Sequence, residues 1–156
     1  MEGVVRMYGA TGGLKAARFS LVPVGNMTLY PVPESASRAR RWFRKFMQSE
    51  GLACSMDDCT LLISELVANA VQHGEAETPW RIRVEWARVG DALWVDVHSA
   101  GHPSKVRMQE PGLGETHGRG LRLVHALADF WLVGASPYGG TRVAFVLDAA
   151  WSAEEP

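Results

Sequence analysis

ISELVANAVQHG, residues 63–74, is the stretch on which the reading of the whole chain turns. Together with Leu62, its apolar residues Ile63, Leu66, Val67, Ala70 and Val71 recur at helical spacing, and Gly74 stops the run, so it reads as an amphipathic helix with a broad buried face. Glu65, Asn69 and His73 follow one another at four-residue steps, along one line of that helix. Asparagine is a poor helix former because its side chain competes for backbone hydrogen bonds, so Asn69 needs a reason. A solvated stripe is the simplest one. A polar group aimed at a ligand is the sharper one, and the rest of the chain weighs between them.

Upstream, Ser55-Met56-Asp57-Asp58 provides a capping start for this helix, with acidic residues at its positive end. Before it, ESASRARRWFRKFMQSEG (34–51) places Ala39, Trp42, Phe43, Phe46 and Met47 on one face and Arg38, Arg41, Arg44, Lys45 and Gln48 around the other. Its arginines are a candidate partner surface, although charged outer faces are usually just solvated. MTLYPVP (27–33) reads as an edge strand closed by prolines, and residues 1–26, with scattered glycines and no period, as a flexible arm.

Downstream, WRIRVEWARV (80–89) and ALWVDVH (92–98) alternate apolar and polar residues around a turn at Gly90-Asp91, the pattern of a hairpin. SAGHPSKVRMQEPGLGETH (99–117) is too long for an ordinary connection and reads as disordered or as a working lid. A helix over GRGLRLVHALADF and a hairpin of FWLVGA and TRVAFVLD around SPYGG complete the chain. Helices not regularly interleaved with strands predict an α+β fold, a two-layer sandwich with helices on one face of a mixed, mostly antiparallel sheet. The expected organisation is one domain over 27–150, with an arm before it and a tail over 151–156.

Composition narrows the class. At 156 residues, 47% hydrophobic and 21% charged, the chain suits one globular domain, and a net charge of −1 argues against attraction to nucleic acid or an anionic membrane. Cys54 and Cys59 fit neither a zinc ribbon nor a redox C-x-x-C and read as reduced, packed thiols. No run approaches a membrane span and no signal pattern opens the chain, so a cytoplasmic location is expected.

The second informative stretch is HGRGLRL (117–123), where Gly118 and Gly120 flank Arg119 as a loop becomes a helix. Free N–H groups at a helix start favour an anion, although glycines there often serve only as hinges. Neither a P-loop nor a dinucleotide-binding turn fits the spacing. Taken in order, ELVANAVQHG, VHSAGHP after a strand, a glycine-rich segment ending HGRGL, and GGT in the last hairpin resemble the GHKL-type ATPase domains. They are most similar to the single-domain anti-sigma factor serine kinases, over roughly residues 28–148.

That resemblance implies a Bergerat-type ATP-binding fold and a set of roles. Glu65 would polarise the attacking hydroxyl, and Asn69 would offer its amide oxygen to Mg²⁺, an ion that prefers hard oxygen ligands and keeps several waters. Gly118, Gly120 and the N–H of Leu121 would hold phosphate oxygens, and Gly139, Gly140 and Thr141 would close the base end. ATP and Mg²⁺ are the implied cofactors, a sigma factor and a STAS-type anti-sigma antagonist the implied partners, and a homodimer the implied assembly. One position departs from the family. Where an Asp-x-Gly reads the adenine amino group, this chain has Ser99-Ala100-Gly101, and Pro103 replaces the next glycine. A neutral acceptor in place of a charged one weakens nucleotide roughly tenfold. Two further readings therefore stand beside the kinase: a nucleotide-independent binding module on the same scaffold, and an unrelated phosphate- or metal-dependent enzyme. His98 and His102 straddle a loop without a third ligand nearby, which makes a metal pair a poor reading; His73 is explained by the helix dipole. His117 and His125 read as surface or lid residues, and the tryptophans as core or interface anchors.

Overall fold

The computed structural model describes residues 6–9, 21–74, 76–106 and 119–151. Helix α1 (Ser35–Met47) buries Ser35, Ala39, Phe43 and Met47, one residue in four, so the stripe that enters the core is narrow. Trp42 and Phe46, expected on the buried face, are instead 53% and 46% exposed at its margins. Phe46 still meets the Trp86 ring edge-on at 5.5 Å, beside Phe43 at 5.2 Å. Helix α2 (Met56–His73) starts as expected: the Ser55 hydroxyl accepts a hydrogen bond from the Asp58 N–H at 3.1 Å, with Asp57 and Asp58 in the first turn. It ends where Gly74 donates its N–H to the Ala70 carbonyl. Helix α3 (Arg119–Leu127) turns Leu121 and Val124 inward.

Six strands form one sheet: β1 (Arg6–Gly9), β2 (Leu21–Leu29), β3 (Ile82–Val89), β4 (Ala92–Ser99), β5 (Phe130–Ala135) and β6 (Thr141–Leu147), in the order β1-β5-β6-β4-β3-β2. Every pairing among these described strands is antiparallel, so the mostly antiparallel sheet expected from sequence is here antiparallel throughout. The reason lies in the connections. β3–β4 and β5–β6 are hairpins, and after α3 the chain takes the outer lane as β5 before β6 returns between β5 and β4, reversing direction at each pairing.

β2 corrects the expected edge strand at 27–33. It begins at Leu21 and ends at Leu29, because the chain turns at once, with the Val32 N–H on the Tyr30 carbonyl and the Ser35 N–H on the Val32 carbonyl. The expected arm boundary at residue 26 thus falls inside a strand, and β1 pairs with β5 still earlier in the chain. Residues 1–5 and 10–20 lie outside the described residues, as does most of the segment read as a lid. The expected tail begins with a packed residue: Trp151 is 7% exposed, bridges Leu52, and donates its indole N–H to the Ala92 carbonyl at 3.1 Å.

Alternation along the central strands separates the two faces of the sheet. Val84, Trp86, Val95, Val97, Val143 and Phe145 meet the helices in one core, confirming the two-layer α+β sandwich. Arg83, Glu85, Asp96, His98 and Arg142 point the other way.

Candidate functional site

α2 crosses the end of β4, and the two elements leave a cavity between them. Leu66, Asn69, Ala70, His73 and Gly74 of the helix side face Val97, Ser99 and Ala100. Thr141 and Val143 of β6, Leu121 at the start of α3, and His102 and Val106 of the segment after β4 complete its walls. The lining is apolar except for a few groups, and among the described residues on it there is no carboxylate. Its volume is about 40 Å³, small beside the roughly 300–1,000 Å³ of pockets that take small molecules.

The sequence-derived residues divide as follows. Asn69, Ser99, Leu121 and Thr141 share the cavity. Glu65 is half-buried on α2 but is not among its lining residues. Gly120 lies in the first turn of α3, one residue before Leu121, which stands on the wall. Gly118 lies outside the described residues. Gly101, Gly139 and Gly140 border an adjoining open groove of about 500 Å³ that shares Ser99 and Ala100 with the cavity.

Backbone packing explains the glycine pair in the β5–β6 turn. Gly139 and Gly140 both have positive φ, +89° and +82°. A Cβ on Gly140 would stand 2.2 Å from the Ser99 carbonyl oxygen, so only glycine lets this turn close on the end of β4. Thr141, 2% exposed, then donates its hydroxyl to the Gly101 carbonyl at 2.9 Å, pinning the loop that carries Ser99-Ala100-Gly101. Gly101 itself has φ +97°.

Asp96 does not replace the carboxylate absent at Ser99. It lies on the opposite face of the sheet, where its Oδ1 accepts from Arg142 Nε at 2.6 Å and from the Trp94 indole at 3.1 Å. That face also holds His98, 6% exposed, with Nδ1 2.9 Å from the Ser136 hydroxyl and Nε2 3.6 Å from Glu85. Burial pushes its pKa below the ordinary histidine value, against the pull of Asp96 and Glu85. Burial alone would raise the Glu85 carboxyl, but hydrogen bonds from Tyr138 and Arg83 outweigh it and hold it below the usual range. His102, on the cavity side, turns Nδ1 to the Ser104 hydroxyl at 2.7 Å. The two histidines considered as a metal pair thus have different partners on different sides of the sheet.

Sequence reasoning missed His73 and His102 as wall residues. The helix periodicity could have found His73, which stands one turn after Asn69; nothing in the pattern located His102. His125 accepts the Trp131 indole N–H at 3.1 Å and takes no part in the cavity.

No helix among the described residues is long and apolar enough to cross a membrane. No curated protein matches the chain. The histidine kinase-like ATPase domain family matches residues 30–146, which run from the turn before α1 to the last strand and include every described wall of the cavity. With a two-layer sandwich, an amide-bearing helix over the sheet and a second helix starting at the same cavity, the chain belongs to the histidine kinase-like ATPase domain family, whose members are built to bind ATP, typically with Mg²⁺.

Proposed function

We propose that the protein is an anti-sigma factor regulator with serine kinase activity, binding ATP–Mg²⁺ at the Asn69 cavity, engaging a sigma factor, and phosphorylating a serine of a STAS-type antagonist. The observation that carries this reading is the position of Asn69 in a cavity that the start of α3 also borders. The donor set suits the phosphate end of a nucleotide: the Asn69 amide oxygen would hold Mg²⁺, and the first-turn N–H groups of α3 would meet phosphate oxygens. When bound, ATP supplies the phosphoryl group and Mg²⁺ offsets its charge. Glu65, one turn before Asn69, is the group to take the proton of the attacking serine hydroxyl. The small cavity volume requires the walls to part as the nucleotide enters.

Calorimetric titration with ATP, with and without Mg²⁺, tests this reading. Asn69→Ala is expected to weaken Mg²⁺-dependent binding about tenfold or more. Glu65→Ala is expected to retain binding and lose phosphate transfer to an antagonist. Equal ATP affinity in the wild type and Asn69→Ala overturns the site assignment.

A second reading rests on a specific observation. No carboxylate lines the described cavity at the base end, and Asp96 is committed to Arg142 on the other face. This favours a binding module that sequesters a sigma factor or antagonist without nucleotide. Partner binding unchanged by ATP, with no heat of nucleotide binding in the wild type, selects it over the kinase.

A further inference from the structure

The N-terminal end of α2 carries a feature the nucleotide reading does not use. Cys54 immediately precedes the capping Ser55, Cys59 sits in the first turns of the helix, and their sulfurs lie 3.3 Å apart. Both are free thiols. Cys54 is half-buried, whereas Cys59 is fully buried in the core against the helix layer.

We infer that Cys54 and Cys59 form a peroxide-sensitive dithiol, in which Cys54 is the attacking sulfur and Cys59 resolves it to an intramolecular disulfide. Three features of the local structure support the assignment of roles. The positive end of the α2 dipole lies beside Cys54 and favours a thiolate there. The two sulfurs stand at hydrogen-bond distance, and with Cys59 as the donor this contact lowers the Cys54 pKa while raising that of Cys59. Access follows the same order, since the half-buried Cys54 can meet a small oxidant and the enclosed Cys59 cannot.

The chemistry balances with a hydroperoxide as the oxidant. The Cys54 thiolate attacks one peroxide oxygen; the S–O bond forms, the O–O bond breaks, and the departing oxygen leaves as water or alcohol after taking a proton. The Cys59 sulfur then attacks the Cys54 sulfenic acid, forming the S–S bond and releasing the hydroxyl as water with the Cys59 proton. Two thiols lose two electrons and the peroxide gains them. Closing the bond brings the sulfurs from 3.3 Å to about 2.05 Å. The resulting ring encloses Ser55, so oxidation ties the segment held at Ala150 by the Ala53 N–H directly to the helix that carries Asn69.

The test is titration of the folded full-length chain with hydrogen peroxide, followed by intact mass, non-reducing peptide mapping and labelling with a sulfenic-acid-specific dimedone probe. The expected product is a monomer lighter by two hydrogens, with the 54–59 crosslink, reversed by dithiothreitol. Cys59→Ser is expected to accumulate a dimedone adduct on Cys54, and Cys54→Ser to lose both adduct and crosslink. An adduct appearing first on Cys59, a disulfide only between molecules, or wild-type thiols unchanged under peroxide that oxidises free cysteine overturns the inference. The wild-type mapping decides the matter even if a substitution impairs folding.

Discussion

Asn69 and Ser99 line one cavity, and the proposed nucleotide site gives them different parts: an amide oxygen for Mg²⁺ at the first, a neutral hydroxyl where the family pattern has a carboxylate at the second. If adenine meets the end of β4, restoring the charge should strengthen the contact. Ser99→Asp is expected to raise ATP affinity about tenfold, the difference between a neutral and a charge-assisted hydrogen bond; calorimetry in the presence of Mg²⁺ measures it. Unchanged or weaker affinity would show that the base does not lie against residue 99. Asn69 itself was legible because a helix interior gives asparagine no local reward. The four-residue step put Glu65 on the same face and the family resemblance gave it its role, yet of the three polar residues Asn69 and His73 line the described cavity and Glu65 does not. Each such step advances about 40° beyond a full turn, so three residues that form a line in sequence spread around the helix in space.

α1 shows how an element can be found correctly and its face drawn too widely. The periodicity located the helix, but Trp42 and Phe46 were assigned to a core that takes only Ala39, Phe43 and Met47 among their apolar neighbours. The helix lies against α2 and the β2 side of the sheet, where one narrow stripe suffices. Phe43 is fully buried edge-on to Trp86, so Phe43→Ala should cost about 3–5 kcal/mol in urea denaturation, against about 0.5 kcal/mol for the exposed Trp42→Ala. Comparable losses at the two positions would contradict this packing. β2 was misplaced for a related reason: Pro31 and Pro33 were read as closing a strand, whereas the chain has already turned at Tyr30.

At the scale of the whole molecule, hairpins and helix positions were readable, but sheet order was not, because alternation says which side a residue faces and nothing about its neighbouring strand. Register makes β5 and β6 continue the sheet beyond β4, and so places the buried His98 beside Ser136 on the face opposite the described helices. Its folded pKa lies below the ordinary 6.5, so its neutral form contributes stability that is present above that value and is lost as pH falls through the folded pKa. Glu85, also shifted down, loses its contribution in a window that opens in more acidic solution, as pH falls below 4.5 and through its folded value. Melting temperatures should therefore be flat between about pH 7 and 8, below the point at which the raised Cys59 thiol begins to cost stability, decline as pH falls below 6.5, and decline again below 4.5. His98→Gln is expected to flatten the first decline and leave the second; equal slopes in both proteins would remove His98 as its source.

Among the described strands β2 forms one outer border of the sheet, and its first residues are apolar and open, with Leu21 55% and Val22 53% exposed. A border like this invites a strand from another molecule. Pro23 and the register shift between Pro23 and Gly25 interrupt the row of amides that such a strand would need. Pro23→Val should repair that row and turn a dispersed protein into one that self-associates through strand addition, visible as concentration-dependent growth in light scattering. Self-association would then turn on one imino acid at the border of the sheet, remote from the cavity beside Asn69.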